Sequence, residues 1–147
     1  LHPNLNLQVL KRLHSEGLRT LEIGLETLDE ASQELINKPQ KPEVLTRFLD
    51  AAAESGVAVV INYMTGLPGA DAAAEAYWLK VVRDEVASRP ALNAMIEHNT
   101  FQLEMISPMG SNPHAYGIEV LRSWPWSSLL EFRLKAKEVS EPYATAA

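Results

Sequence analysis

The segment Val57–Tyr63, VAVVINY, is almost continuously apolar and rich in β-branched residues. Such a run predicts a strand covered on both faces, as in a parallel sheet. It begins after Ser55-Gly56, a helix stop, and leads through Met64 and Thr65 into the turn Gly66-Leu67-Pro68-Gly69. Segments of helical period lie on both sides of it, and strands separated by helices demand crossover connections around a parallel sheet, either open or part of a barrel.

The remaining elements follow from period and punctuation. Asn4 and Asn6 are candidate caps for a helix over about 5–15, in which Leu7, Leu10 and Leu13 recur at helical spacing before Glu16-Gly17. A buried strand over 18–25 follows. Asp29 can cap a short helix over 30–36, and a longer helix over 43–54 comes after Pro39 and Pro42. An alanine-rich helix carrying Tyr77, Trp78, Val81 and Val82 is expected over about 71–86. From Arg89-Pro90 the pattern is less regular. A third strand is expected over 100–106, then a turn-like stretch over 109–113, a last helix over about 127–139 and a loose tail over 141–147. The expected organisation is a main domain over 1–122 with a terminal helix and tail over 123–147.

The chain has 147 residues, 46% of them hydrophobic, enough for one cored domain but short for a complete eight-stranded barrel. Nineteen acidic against 13 basic residues give a net charge of −6, without a basic run, so neither nucleic acid nor an anionic membrane is an expected partner. There is no cysteine, which excludes disulfides, thiolate catalysis and a cysteine-ligated iron–sulfur cluster held by this chain alone. No initiating methionine, signal peptide pattern or long apolar run is present, so the expectation is a cytoplasmic fragment.

Two places can carry chemistry. Glu26 falls at the carboxyl end of the first strand, just after Gly24, where ligands of parallel α/β sheets bind and where a carboxylate can accept hydrogen bonds from an amine or a ribose. The same carboxylate can instead cap the next helix or pair with Lys38. Gly66, Pro68 and Gly69 form a tight turn whose backbone can approach a planar ligand, although the turn lacks the spacing of a dinucleotide or phosphate loop. His2, His14, His98 and His114 show no metal-ligand spacing, and His98 reads as a polar loop residue. Trp124, Pro125 and Trp126 make an apolar patch beside Tyr116 and Leu121, suited to packing, to closing a substrate mouth or to contacting another domain.

Taken together, a strand ending Gly-Leu-Glu-Thr, a helix ending Ile-Asn-Lys, a helix ending Ser-Gly-Val and a strand leading to Gly-Leu-Pro-Gly resemble radical S-adenosylmethionine (SAM) enzymes. The resemblance is densest over 21–69. It implies the carboxyl-terminal half of a partial TIM-like β/α barrel, with SAM and a 4Fe–4S cluster at the strand ends. The cluster would cleave SAM to a 5′-deoxyadenosyl radical, or work with cobalamin in methyl transfer.

By the same resemblance Glu26 approaches the methionine or ribose part of SAM, and Asn62 faces that cavity beside Gly66–Gly69. A sixth strand over Phe101–Met105, followed by Met109-Gly110, would run near the adenine. Met109 could pack against the base or fill a core gap, and Glu104 could point into the barrel or into solvent. The family's three closely spaced cluster cysteines have no counterpart here. The implied partner is therefore a missing amino-terminal half of the barrel or an upstream-encoded subunit, with a small-molecule or peptide substrate. The alternatives are a catalytically inactive α/β remnant or assembly module, and a different α/β enzyme using Glu26 as a general acid or base.

Overall fold

A computed structural model describes residue 2 and residues 4–135. The chain divides into two compact units, Leu1–Phe101 and Gln102–Ala147. The boundary expected after Arg122 falls inside a pair of hydrogen-bonded strands of the second unit.

The first unit runs α1 (Leu7–Ser15), β1 (Thr20–Glu26), α2 (Glu30–Leu35), α3 (Pro42–Ser55), β2 (Ala58–Thr65), α4 (Ala72–Ala87) and β3 (Ala94–Thr100). Its ends are set by local chemistry. Asn6, Asp29 and Asp71 each accept a hydrogen bond from a backbone N–H of the following first turn. Pro42 opens α3, and Gly56, at φ +77°, closes it in the left-handed conformation that glycine tolerates.

The strands form one parallel sheet in the order β1-β2-β3. Ile23, Leu25, Val59, Ile61 and Tyr63 point to one face and share a single core with Leu10 of α1, Leu45, Phe48 and Leu49 of α3, and Leu79 and Val82 of α4. Burying each such side chain contributes about 1.5–3 kcal/mol. Arg89 fastens α4 to α3 through Asp50 at 2.7 Å and reaches Glu85 at 2.9 Å. Burial works to lower its pKa, and these two carboxylates outweigh that and raise it.

All three long helices therefore cover the same face of the sheet, the arrangement of part of a TIM-like β/α barrel; an open doubly wound sheet has helices on both faces. The other face is polar. Glu22 and Glu97 are exposed there and Val60, Asn62 and Met64 are half-buried, so the expectation that the Val57–Tyr63 strand is covered on both faces is corrected to one.

The third strand is also corrected. It is Ala94–Thr100, AMIEHNT, which lies earlier than expected and runs along the sheet edge. Only Ala94 and Ile96 pack on the core, while Met95, Glu97 and Asn99 face away, so the strand has no apolar run to reveal it. His98 accordingly belongs to this strand, with Nε2 at 2.9 Å from the Thr65 hydroxyl.

The second unit is built from β4 (Leu103–Glu104), α5 (Pro108–Ser111), a 3-10 turn (Pro113–Tyr116), β5 (Ile118–Arg122) and β6 (Leu129–Leu134). These strands form an antiparallel sheet in the order β4-β6-β5. The helix expected over 127–139 is replaced by β6 as far as Leu134, and 136–139 lie outside the described residues, as does the tail over 141–147. The sequence LLEFRL alternates weakly, and pairing decides it: Arg133 on β6 makes two hydrogen bonds to Glu119 on β5, at 2.8 and 3.0 Å. That pairing holds the Glu119 pKa below its ordinary value.

Candidate functional site

The carboxyl end of β1 is irregular. Between Gly24 and Glu26 the register with β2 slips by one residue, so Gly24 pairs with Asn62 and Glu26 with Tyr63. The bulge buries Leu25 in the core and turns Glu26 into the left-handed region at φ +64°. A non-glycine residue held there stores about 1–3 kcal/mol of strain, a pattern that clusters at ligand sites.

Glu26 is paired with Lys38, Nζ to Oε1 at 2.8 Å, so of the partners open to it from sequence the lysine is the one realised. Lys38 follows Asn37, whose φ of +51° reverses the chain after α2. A Cβ added to Gly24 would lie 2.5 Å from Glu26 Oε1 and 2.7 Å from Lys38 Nζ. The ion pair therefore lies across the open face of the sheet above Gly24, and glycine is needed to leave it room.

Replacing Gly24 with alanine is expected to displace this pair while costing less than about 1 kcal/mol of stability, because the atoms in the way are the ends of flexible side chains. An unchanged Lys38 environment in the variant, followed by the NMR shift of its side-chain ammonium, would contradict this geometry.

Asn62 stands beside Gly24 on the same face. Its Nδ2 donates to Glu22 Oε1 at 2.6 Å, and its Oδ1 is buried with no hydrogen-bond partner. A buried acceptor without a donor costs about 1–3 kcal/mol.

Beyond β2, the loop over 66–69 is held from several directions. Gly66 and Gly69 have φ of +79° and +76°. The Ala70 N–H bonds to the Leu67 carbonyl at 3.0 Å around Pro68 and Gly69, the pattern of a type II turn. Leu67 is buried at 1% exposure, and Phe101 N–H donates to the Thr65 carbonyl at 2.8 Å. From below, Glu75 of α4 accepts the N–H groups of Gly66 and Leu67 at 2.8 and 3.3 Å. Tyr63, 1% exposed, sits behind the strand ends beside Thr27 and the Leu28 backbone without a bond of good geometry to its hydroxyl. Burial raises its pKa, against the lowering influence of those two neighbours.

The structure thus brings Glu26, Asn62, Gly66, Pro68 and Gly69 to the carboxyl ends of adjacent strands. Glu104 and Met109 belong to the second unit. Glu104 is exposed on β4, and Met109 is 8% exposed in α5, filling core space there. In the tryptophan segment, Trp124 stacks under the Arg122 guanidinium at 5.8 Å and Trp126 is 82% exposed.

Sequence reasoning missed Glu22 and Glu75, and weighed Lys38 only as an alternative partner of Glu26. A usable signal was present for Glu75: an acidic residue four positions after the cap Asp71, in an otherwise apolar first turn. None marks Glu22.

Among the described residues no group of three histidine, aspartate or glutamate side chains is placed to hold a metal, and no cysteine occurs anywhere in the chain. An iron–sulfur cluster does not fit the residues present. No helix among the described residues is long and apolar enough to cross a membrane.

Neither a protein-family model nor a curated protein sequence matches the chain. A solved structure does: coproporphyrinogen III oxidase (HemN) from Escherichia coli, described as a radical SAM enzyme, with a TM-score of 0.55 and 26% sequence identity over 65% of this chain. The chain spans 21% of that structure's length. The likeness links the chain to radical SAM enzymes at the level of the superfamily, through part of an α/β barrel that carries no cluster ligands of its own.

Proposed function

We propose that the first unit is one part of the wall of a radical SAM barrel and contributes to binding SAM, with the cluster held by residues outside this chain. The observation that carries this reading is the structural likeness to a radical SAM enzyme. The chemistry at the strand ends supports it. The amino-acid part of SAM carries an ammonium and a carboxylate, and the Glu26–Lys38 pair offers one partner for each. Half-buried Asn62 stands beside them with an unpaired Oδ1 that a small rotation would bring to an amine or hydroxyl, and the rigid loop over 66–69 offers backbone at close approach for a flat group. In this reading the residues of this chain orient SAM and exclude water.

The partner in this reading is a polypeptide segment bearing the cluster cysteines and the remaining strands. It would pair with the outer edges of β1 and β3, which have no neighbouring strand among the described residues. Cobalamin-dependent methyl transfer is the narrower form of the proposal. Replacing Glu26 with glutamine in the completed barrel is expected to weaken SAM about 10- to 100-fold, the loss of one charge-assisted bond, with cluster content intact. Equal affinity at matched iron content would refute the assignment of Glu26. The absence of cysteine together with the open sheet edges favours a second reading, an assembly module without chemistry of its own; it is distinguished by a completed barrel that holds its cluster but binds no SAM.

A further inference from the structure

Glu75 is the single buried charged residue among the described residues, at 7% exposure. A carboxylate removed from water is tolerated only when its oxygens are bonded. Its partners are backbone N–H groups rather than a lysine or arginine: Oε1 accepts Gly66 N–H at 2.8 Å and Leu67 N–H at 3.3 Å. Two consecutive N–H groups converging on one anion are the geometry by which loops bind external anions. Here the anion is built in, projected from the first turn of α4, where Asp71 caps the helix through the Ala73 N–H at 2.8 Å.

We propose that Glu75 is a positioning residue whose carboxylate fixes the backbone of Gly66 and Leu67, and thereby the shape of the loop that borders the strand ends. The other restraints on the loop act away from the Gly66 N–H. Gly66 has no side chain to hold it, and with φ +79° its backbone is in a region that an unrestrained glycine leaves readily. Leu67 anchors one point and the turn over 67–70 fixes the next, but only the Glu75 bonds fix Gly66 N–H, where the chain leaves β2. A loop ordered before ligand arrives avoids the entropic cost of ordering it on binding. The effect on SAM affinity rests on the function proposed above, whereas the effect on the loop does not.

The test separates bonding from packing with two variants of the full chain. Glu75→Gln keeps an acceptor oxygen at the same reach, and Glu75→Met keeps the volume without an acceptor. Amide hydrogen exchange is read at Gly66 and Leu67, with Val59, bonded within the sheet at 2.9 Å to the Asn93 carbonyl, as the internal reference for global opening. Relative to Val59, exchange at Gly66 and Leu67 is expected to rise about tenfold or more in the Met variant and to stay within about threefold of wild type in the Gln variant.

Protection retained by Met would mean that Glu75 acts by packing and would overturn the proposal, whereas equal loss in both variants would mean that the bonds need the charged carboxylate and would keep the positioning role with it. Should the Met variant fail to fold, the Gln variant decides alone. Replacing a charged acceptor by a neutral one is expected to move the Gly66 amide proton upfield more than any amide of β1, and an unmoved Gly66 resonance refutes the bond. In the completed barrel, SAM affinity should follow the same order, wild type above Gln above Met. If wild type binds no SAM while Gly66 and Leu67 keep their Glu75-dependent protection, the cofactor reading fails and the positioning role stands.

Discussion

Replacing Ile61 with alanine is expected to lower the stability of the first unit by about 2–5 kcal/mol, a large part of the total that a small domain possesses. Ile61 has no exposed surface. It lies on the central strand and pairs with Ile23 on one side and Ile96 on the other, so the truncation opens a cavity beneath α3 and α4 that neighbouring strands cannot collapse to fill. Replacement by valine should cost only about 0.5–1.5 kcal/mol. Denaturant unfolding followed by far-ultraviolet circular dichroism checks both values. A loss below about 1 kcal/mol for the alanine variant would mean that the sheet is not packed as described.

The second large effect is expected in the other unit, at Gly110. Its φ is unremarkable, and the constraint is space. A Cβ there would overlap the Glu104 carbonyl oxygen and meet its carbon at 2.8 Å and the Met105 carbonyl oxygen at 2.9 Å. These are backbone atoms, which cannot swing aside as the side chains over Gly24 can. The Gly110→Ala variant must push α5 from β4, break the Gly110 N–H bond to Ser107 Oγ at 3.0 Å, and lose about 1–3 kcal/mol or more. The readout is exchange of the Met105 amide, bonded to the Ser128 carbonyl at 2.8 Å. Unaltered protection there would show that the turn has slack the geometry denies.

Where burial and period agree, the sequence was sufficient. The apolar runs around Ile23 and Ile61 and the helices with leucine at helical spacing sit within a few residues of where pattern places them. The misreadings have a common physical cause. An edge strand with one face in the core and one face open needs only Ala94 and Ile96 to be apolar, so AMIEHNT carries half the signal of a central strand. Similarly, β6 is a strand because β4 and β5 flank it, a tertiary fact that the local propensity of LLEFRL does not express.

The candidate site was legible in part for the same reason. Glu26 and the glycines of the 66–69 loop stand where strand ends and turn signals meet. The bulge at Leu25 depends on the register with β2, and the Lys38–Glu26 and Glu75–Gly66 bonds on contacts between residues 12 and 9 apart, which spacing alone does not fix. That Gly24 serves an ion pair of the chain itself, where sequence suggested close approach by a ligand, is the clearest instance.

The measurement that bears most directly on the central claim is anaerobic calorimetric titration of SAM into this chain, alone and combined with a polypeptide carrying the three-cysteine motif and the preceding strands, with iron content determined in parallel. The account predicts saturable binding in the combination, weakened by Glu26→Gln and by Asn62→Ala at unchanged iron content. A combination that assembles and holds its cluster yet takes up no SAM, or binds it equally with both residues replaced, would contradict the claim that this part of the barrel forms the cofactor's wall.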